Sequence, residues 1–382
     1  MRRVVVISHT YVDPANRGKL RALAARGLDV TVGVPQRWRE PAFGRVVETS
    51  WERQAGVEVF PIPARGAGHP ARMRVGKREL SALLRDKRPD LIQIEEEPTS
   101  PAAAQTVNAA RKLSIPAVVF TTQNLDVRLP FLMRWRRRRT LGRGRGVIAG
   151  SEAAAAKVRR ELPGLPVAVI PQLGVQVPAA PEHLPHEGLA VGYVGRLVPR
   201  KGLDTLLHAL ALIRGERWKL TVVGDGPARE PLEQLASDLR LAARIRWAGA
   251  LPPHLVPRIW PELDVLVVPS RGPASWNEPV GNVLVEAMAH EVAVVGSAAG
   301  VTPEVIGDAG LVVPADDPQA LADALRQLQP DAVRRPLAEA ARARAMREYS
   351  DDAVAERTLE FWRDLFLNPG AWPRGQPTRA EQ

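Results

Sequence analysis

The sequence predicts an α/β protein made of two doubly wound, parallel-sheet domains. Three observations predict it. The 382 residues exceed the roughly 100–200 of an ordinary single domain. Short apolar, β-branched runs alternate with amphipathic stretches in both halves, a βαβ rhythm whose continuous apolar strands belong in a sheet covered on both faces. The rhythm stops once, over PQLGVQVPAAPEHLPHEG at 171–188, a Pro-, Gly- and His-containing stretch that reads as a linker.

In the first half the strands fall at 4–7, 30–33, 57–61, 91–94, 117–121, 146–149 and 167–170, with helices at 14–26, 74–87, 100–112, 127–141 and 151–160. The second half places strands at 189–194, 219–223, 244–247, 265–269, 293–296 and 311–313, and helices near 202–213, 228–240, 281–289, 317–327 and 330–347. A helical stretch rich in Leu, Phe and Trp closes the chain at 351–366. The Pro/Gly/Arg tail beyond it is expected to lack order. The expected domains are therefore 1–175 and 186–350, then a helix at 351–367 and a tail at 368–382. Two such domains facing each other form a cleft, and parallel sheets bind ligands beyond the carboxyl ends of their strands.

A hydrophobic content of 45% with 25% charged residues excludes a mostly disordered or collagen-like chain. The absence of cysteine excludes disulfides, thiol nucleophiles and cysteine-rich zinc sites. No apolar run approaches the roughly 18 residues of a membrane span, and only Val4 to Ile7 precede polar residues at the N-terminus, so neither an anchor nor a signal peptide is expected. A cytoplasmic protein, peripheral at most on the inner face of the membrane, is the expectation. The net charge of +11 divides unevenly: residues 1–180 carry 31 Lys+Arg against 15 Asp+Glu, a balance of +16, and the remainder carries −5. A basic first half suits nucleic acid, an anionic membrane or an acidic substrate.

Three constellations of the second half sit at strand ends. Gly195-Arg196-Leu-Val-Pro-Arg-Lys201-Gly202 follows the strand LAVGYV and opens a helix, which places Arg196 and Lys201 where backbone N–H groups already favour anions. It reads as a phosphate site or as a basic solvated loop. Val223-Gly224-Asp225-Gly226-Pro227 is a tight turn with Asp225 capping the next helix, or a turn whose glycines keep side chains away from a ligand. In PSRGPASWNEPVGNVLVEAMA, Glu278 and Glu286 enclose seven residues. With a helix starting near Gly281, a diphosphate over the amides of Gly281, Asn282, Val283 and Leu284 has a carboxylate at each end, for hydroxyls of a sugar and of a ribose. Alternatively both are surface acids, Glu278 complementing the helix dipole.

The order of Gly-Arg-Leu…Lys-Gly, Val-Gly-Asp-Gly-Pro, Pro-Ser…Glu278-x7-Glu286-Ala-Met-Ala and the segment Ser297…Gly300…Pro303-Glu304…Gly310 resembles the family 4 glycosyltransferases. The resemblance is dense over 195–313 and implies the GT-B fold, two Rossmann-like domains facing across a cleft. It implies a retaining enzyme that moves a sugar from a nucleotide-diphosphate sugar to a glycan or lipid-linked acceptor in exopolysaccharide or cell-envelope synthesis. Gly195, Gly224, Asp225, Pro279, Gly281, Asn282 and Val283 would bind the donor, Arg196 and Lys201 its diphosphate, Glu286 its ribose and Glu278 its sugar. The chain contains no Asp-x-Asp, so no metal or other cofactor is expected. The closing helix resembles the family's element that crosses back to the first domain. The family's Glu-Pro-Phe-Gly reads Glu278-Pro279-Val280-Gly281 here, after a longer loop, 271–277. The first strand–helix loop has Arg17-Gly18-Lys19 where many members have two glycines, which keeps a phosphate contact open. Gln123-Asn124 stands where many have histidine. His9 is a further acceptor-side candidate or a structural histidine, and Asp126 a possible helix cap.

Other classes compete. An epimerase or hydrolase of the same fold needs acid/base carboxylates in the first domain, where Glu95, Glu96 and Glu97 stand. A dinucleotide-dependent oxidoreductase lacks its glycine pattern. Seven arginines between Arg134 and Arg145 suit nucleic acid, although no recognition module surrounds them, or a solvated helix face. With Phe131, Leu132, Met133 and Trp135 they also suit an amphipathic helix on an anionic membrane, spanning 131–145.

Overall fold

A computed structural model of the chain describes residues 1–39, 46–123, 129–272 and 282–367. The chain divides into two compact units, one of Met1–Gly174 with the segment from Asp351 onward, the other of Val175–Ser350.

The first unit holds an eight-stranded sheet. Strands β1 (Arg3–Ile7), β2 (Asp29–Pro35), β3 (Val57–Ile62), β4 (Leu91–Ile94), β5 (Ala117–Thr121), β6 (Gly146–Ala149) and β7 (Val167–Val169) run parallel in the order β7-β6-β5-β4-β1-β2-β3, and Glu52–Gln54 adds an antiparallel edge to β3. Every residue of β4, β5 and β6 is buried, as expected of strands covered on both faces by α1 (Gly18–Ala25), α2 (Lys77–Lys87), α3 (Pro101–Lys112), α4 (Phe131–Leu141) and α5 (Glu152–Glu161). The second unit repeats the plan with six strands: β8 (Leu189–Val194), β9 (Trp218–Val223), β10 (Ile245–Gly249), β11 (Val265–Val268), β12 (Ala293–Ser297) and β13 (Leu311–Val313), in the order β10-β9-β8-β11-β12-β13. Helices α6 (Leu203–Leu212), α7 (Arg229–Asp238), α8 (Asn282–Ala289), α9 (Thr302–Ile306), α10 (Pro318–Gln327) and α11 (Asp331–Arg344) surround it.

The last helix, α12 (Asp351–Leu367), packs on α1, and its Val354, Ala355, Leu359, Trp362 and Leu365 join the first unit's core. Two glycines accommodate it. A Cβ at Gly18 would overlap the Asp351 carboxylate, and one at Gly146 would crowd Phe361 and Leu365 at 2.9 Å. The Trp362 indole donates to Gln93 Oε1 on β4 at 2.8 Å, so the helix is fixed by a buried hydrogen bond as well as by apolar contact.

The sequence reading placed these strands and helices with small differences at their ends, except for α9, which it did not foresee. The helix expected at 74–87 starts at Lys77, because Gly76 is extended and Arg74–Val75 pairs with Ala64–Arg65. The one expected from 127 is helical from Phe131, after an extended Pro130. A hairpin of Arg37–Arg39 and Val46–Glu48 was not foreseen, since its three-residue strands carry no readable alternation.

Candidate functional site

In both sheets the chain runs outward from a central strand and then returns to its other side. The reversal falls between β1 and β4 in the first unit and between β8 and β11 in the second. Loops leaving such a strand pair in opposite directions open a crevice at the carboxyl end of the sheet.

In the second unit the loop after β8 carries Gly195, Arg196 and, in the turn Pro199–Lys201, Arg200 and Lys201. Gly202 has φ 68°, and a Cβ there would overlap the Pro269 carbonyl oxygen, so only glycine lets this turn abut the end of β11. Arg271 locks the two loops together. Its backbone N–H donates to Arg200 O at 2.7 Å, while Nη2 lies 2.7 Å from Asp204 and 2.6 Å from Asp316. Arg196 is exposed and Lys201 half-buried. Burial, with help from Arg200 and Arg196, pulls Lys201 down to a pKa of about 8.

Lys201, Ser270 and Thr302 line a cavity of about 30 Å³ together with Val283 and Leu284 in the first turn of α8. The Ser270 hydroxyl is buried there with no hydrogen-bond partner among the described residues. Glu286 lies four residues into α8 and is half-buried. Burial raises its pKa, and its carboxylate has no ion pair among the described residues. Asn282 opens the helix, exposed to solvent. The structure thus brings Lys201 and Val283 to one cavity. Glu278, Pro279 and Gly281 lie outside the described residues.

Gly224 and Gly226 form a tight turn that meets the loop after β8. At φ 139° and 157°, their Cβ atoms would run into the carbonyl oxygens of Gly195 and Leu197. They allow two backbones to touch, with Leu197 N–H donating to Asp225 O at 2.9 Å. Asp225 does not cap α7. Its carboxylate accepts from the N–H of Gly226 at 2.7 Å, and the cap position belongs to Ala228, with no side-chain bond.

The first unit's crevice holds charges of its own. Lys19 Nζ lies 2.6 Å from Glu95 Oε1 and donates to Gln172 O, while Tyr11 OH donates to Glu95 Oε2 at 2.7 Å. Arg17 is buried against Tyr11 O and paired with Glu52. The phosphate contact left open for Arg17-Gly18-Lys19 is therefore corrected: both cations are spent inside the unit, and Gly18 is required by α12. His9 meets Glu96 and stacks on Trp38 with ring centroids 4.6 Å apart. Glu97 accepts from Thr121 Oγ1 and from the N–H and hydroxyl of Thr122. Gln123 accepts from Arg137 Nη1 at 3.1 Å, which ties it to α4; Asn124 and Asp126 lie outside the described residues.

The arginine run does not form one solvated face. Arg137 is buried, donating to Glu161 and Thr121, and Arg136 donates to Thr99 O. Arg134, Arg138 and Arg139 stay exposed beside Phe131 (71% exposed), Leu132 (69%) and Trp135 (52%). Arg271, Ser270 and the pairing of Glu96 with His9 were missed by sequence reasoning. Position two residues after a buried strand was the available signal for Ser270 and Glu96.

Residues 14–173 match the family description Glycosyl transferase 4-like domain, and residues 188–331 match Glycosyl transferases group 1. The D-inositol 3-phosphate glycosyltransferase of Salinispora tropica is 33% identical over 195 residues, 47% of this chain and 39% of that protein. The lipopolysaccharide core biosynthesis glycosyltransferase LpsE of Rhizobium meliloti is 33% identical over 194 residues, 49% of this chain and 53% of that one. The chain therefore spans about half or less of these curated relatives. Anabaena HepE, solved in complex with UDP-glucose, superposes with a TM-score of 0.69 at 19% identity, over 95% of this chain and 100% of HepE. At that identity the likeness shows a shared fold.

Proposed function

We propose that this chain, which belongs to the family 4 glycosyltransferases of the GT-B fold, moves a sugar from a nucleotide-diphosphate donor to a hydroxyl of a glycan or lipid-linked acceptor, with retention of anomeric configuration. The observation that carries the reading is the meeting of Lys201 with the first turn of α8 over one cavity, at the strand reversal where such sheets bind ligands. Arg196, Lys201 and the α8 amides neutralise the diphosphate, Glu286 accepts the ribose hydroxyls and Glu278 those of the donor sugar. The bond from the anomeric carbon to phosphate oxygen breaks and one to the acceptor oxygen forms on the same face. The departing phosphate takes the acceptor's proton. The two cations stabilise its charge, and activity is expected to survive a chelator.

The names of the relatives and of HepE favour UDP-glucose as the first donor to try and a phosphoinositol or lipid-linked saccharide as the first acceptor. Calorimetric titration with UDP and UDP-glucose tests the donor site. Expected is binding that Glu286→Ala and Arg196→Ala each weaken; binding unchanged in both variants overturns the assignment.

No helix among the described residues is long and apolar enough to cross a membrane. The exposed end of α4 offers another route to a lipid-linked acceptor, with apolar Phe131, Leu132 and Trp135 between exposed arginines. Each basic residue near an anionic surface contributes about 1 kcal/mol. Cosedimentation with anionic vesicles, lost on replacing Arg134, Arg138 and Arg139 by Gln, is the expected result; equal partitioning to neutral vesicles overturns it.

A further inference from the structure

The first unit has its own strand reversal, between β1 and β4, and two side chains meet there that the donor site does not use. His9 stands two residues past β1 and Glu96 two residues past β4. Glu96 Oε1 accepts from the backbone N–H of His9 at 2.7 Å and lies 2.8 Å from its Nδ1. A carboxylate oxygen only accepts, so Nδ1 carries the proton, and in the neutral ring the lone pair is left on Nε2. Nε2 makes no hydrogen bond among the described residues. The indole of Trp38, stacked on the imidazole at 30°, restrains rotation of the ring.

Glu96 differs from the acids on either side of it. Glu95 is satisfied by Lys19, Tyr11 and Gln93, and Glu97 by Thr121 and Thr122. Glu96 is 1% exposed and spends Oε1 twice on His9, while Oε2 is buried without a partner among the described residues. Natural structures retain few such atoms, and those they retain call for an explanation in function.

We propose that Glu96 is the positioning residue of a hydroxyl-binding subsite whose contact atom is His9 Nε2: the carboxylate holds the imidazole as its Nδ1–H tautomer, and Nε2 accepts a hydrogen bond from the attacking hydroxyl. The ligand is a polyhydroxylated acceptor, and the inference rests on the sugar-transfer reading above. The hydrogen bond orients the hydroxyl on the first unit and leaves its oxygen a free lone pair. The hydroxyl proton leaves only in the transfer step, to the donor phosphate.

Nitrogen-15 spectroscopy of the histidine-labelled full chain at pH 8.5 tests the pairing directly, with His9 identified by the signal lost in His9→Gln. Expected is a neutral ring with its proton on Nδ1, unchanged in Glu96→Gln, whose amide oxygen accepts the same two N–H groups, and shifted toward the Nε2–H form in Glu96→Ala. An Nε2–H tautomer in the wild type, a doubly protonated ring at that pH, or no change in Glu96→Ala overturns the proposal. Turnover is read as release of UDP from UDP-glucose, with water or an added acceptor as the attacking hydroxyl. Glu96→Ala and His9→Gln are expected to lower it about tenfold, the value of one hydrogen bond, with the KM for UDP-glucose unchanged, and Glu96→Gln to recover most of the loss. Wild-type turnover in all three variants, with UDP-glucose bound, sinks the subsite and leaves the donor reading standing. Failure of the wild type to bind UDP-glucose sinks the donor reading, and the tautomer result still decides the pair.

Discussion

The two units share one strand order and use the reversal point in opposite ways. In the second unit the cations at the reversal face outward or half outward, and Arg271 locks their loop to the end of β11 by donating to Arg200 O and pairing with Asp204 and Asp316. In the first unit the cations face inward, Lys19 on Glu95 and Arg17 on Glu52, each side chain 5% exposed or less. The same backbone plan thus yields a reversal lined by exposed or half-exposed cations and one whose cations are buried in the fold. Charge counted along the sequence does not distinguish the two; burial of the cations does.

The largest test of that contrast is Glu95→Ala, which leaves Lys19 charged and buried; removal of one partner of a buried pair costs about 3–5 kcal/mol, and a fall in the denaturation midpoint should show it. The matching change in the second unit, Lys201→Ala, should leave the midpoint nearly unchanged and instead weaken UDP by on the order of 1.5–3 kcal/mol in a calorimetric titration. Equal destabilisation by the two would erase the distinction. Next in size is Gly18→Ala, where the new methyl must displace Asp351 and loosen α12, at a cost of about 1–3 kcal/mol in thermal unfolding. The smallest effect sharpens the picture by pH. Lys201, at about 8, is charged below that value and neutral above it, so UDP affinity should decline as pH rises from 7 to 9, and the Lys201→Ala variant should show no such decline. A flat profile in the wild type would mean that Lys201 does not meet the phosphate.

Fold and donor site were legible to different depths. Strands such as 91–94, 117–121 and 189–194 were placed to the residue, because a fully buried parallel strand is a short apolar run between breakers. The loop 195–202 was recognisable because two glycines and three cations lie within eight residues after a strand end. The Gly224 and Gly226 pair was read as a tight turn or as room for a ligand, and what their missing side chains admit is Gly195 and Leu197, a contact between segments about 30 residues apart that no local pattern encodes. Arg271 and Glu96 were obscure for the same reason: their partners come from distant loops. The arginine run misled in part because helix periodicity turned Arg137 inward while Arg138 and Arg139 stayed outside.

The position of α12 also sets the order in which the protein comes into being. The second unit is one unbroken stretch, Val175–Ser350, whereas the first awaits a helix encoded after it. A ribosome adding about 5–20 residues per second needs on the order of ten to thirty-five seconds to cross that stretch, and throughout it the first unit's core lacks Trp362 and Gln93 lacks its indole donor. The part of the chain made first is finished last. A truncation near residue 350 therefore strikes hardest at the opposite end of the gene, and translation speed through the second unit governs how long an apolar surface of the first stays exposed to chaperones and proteases.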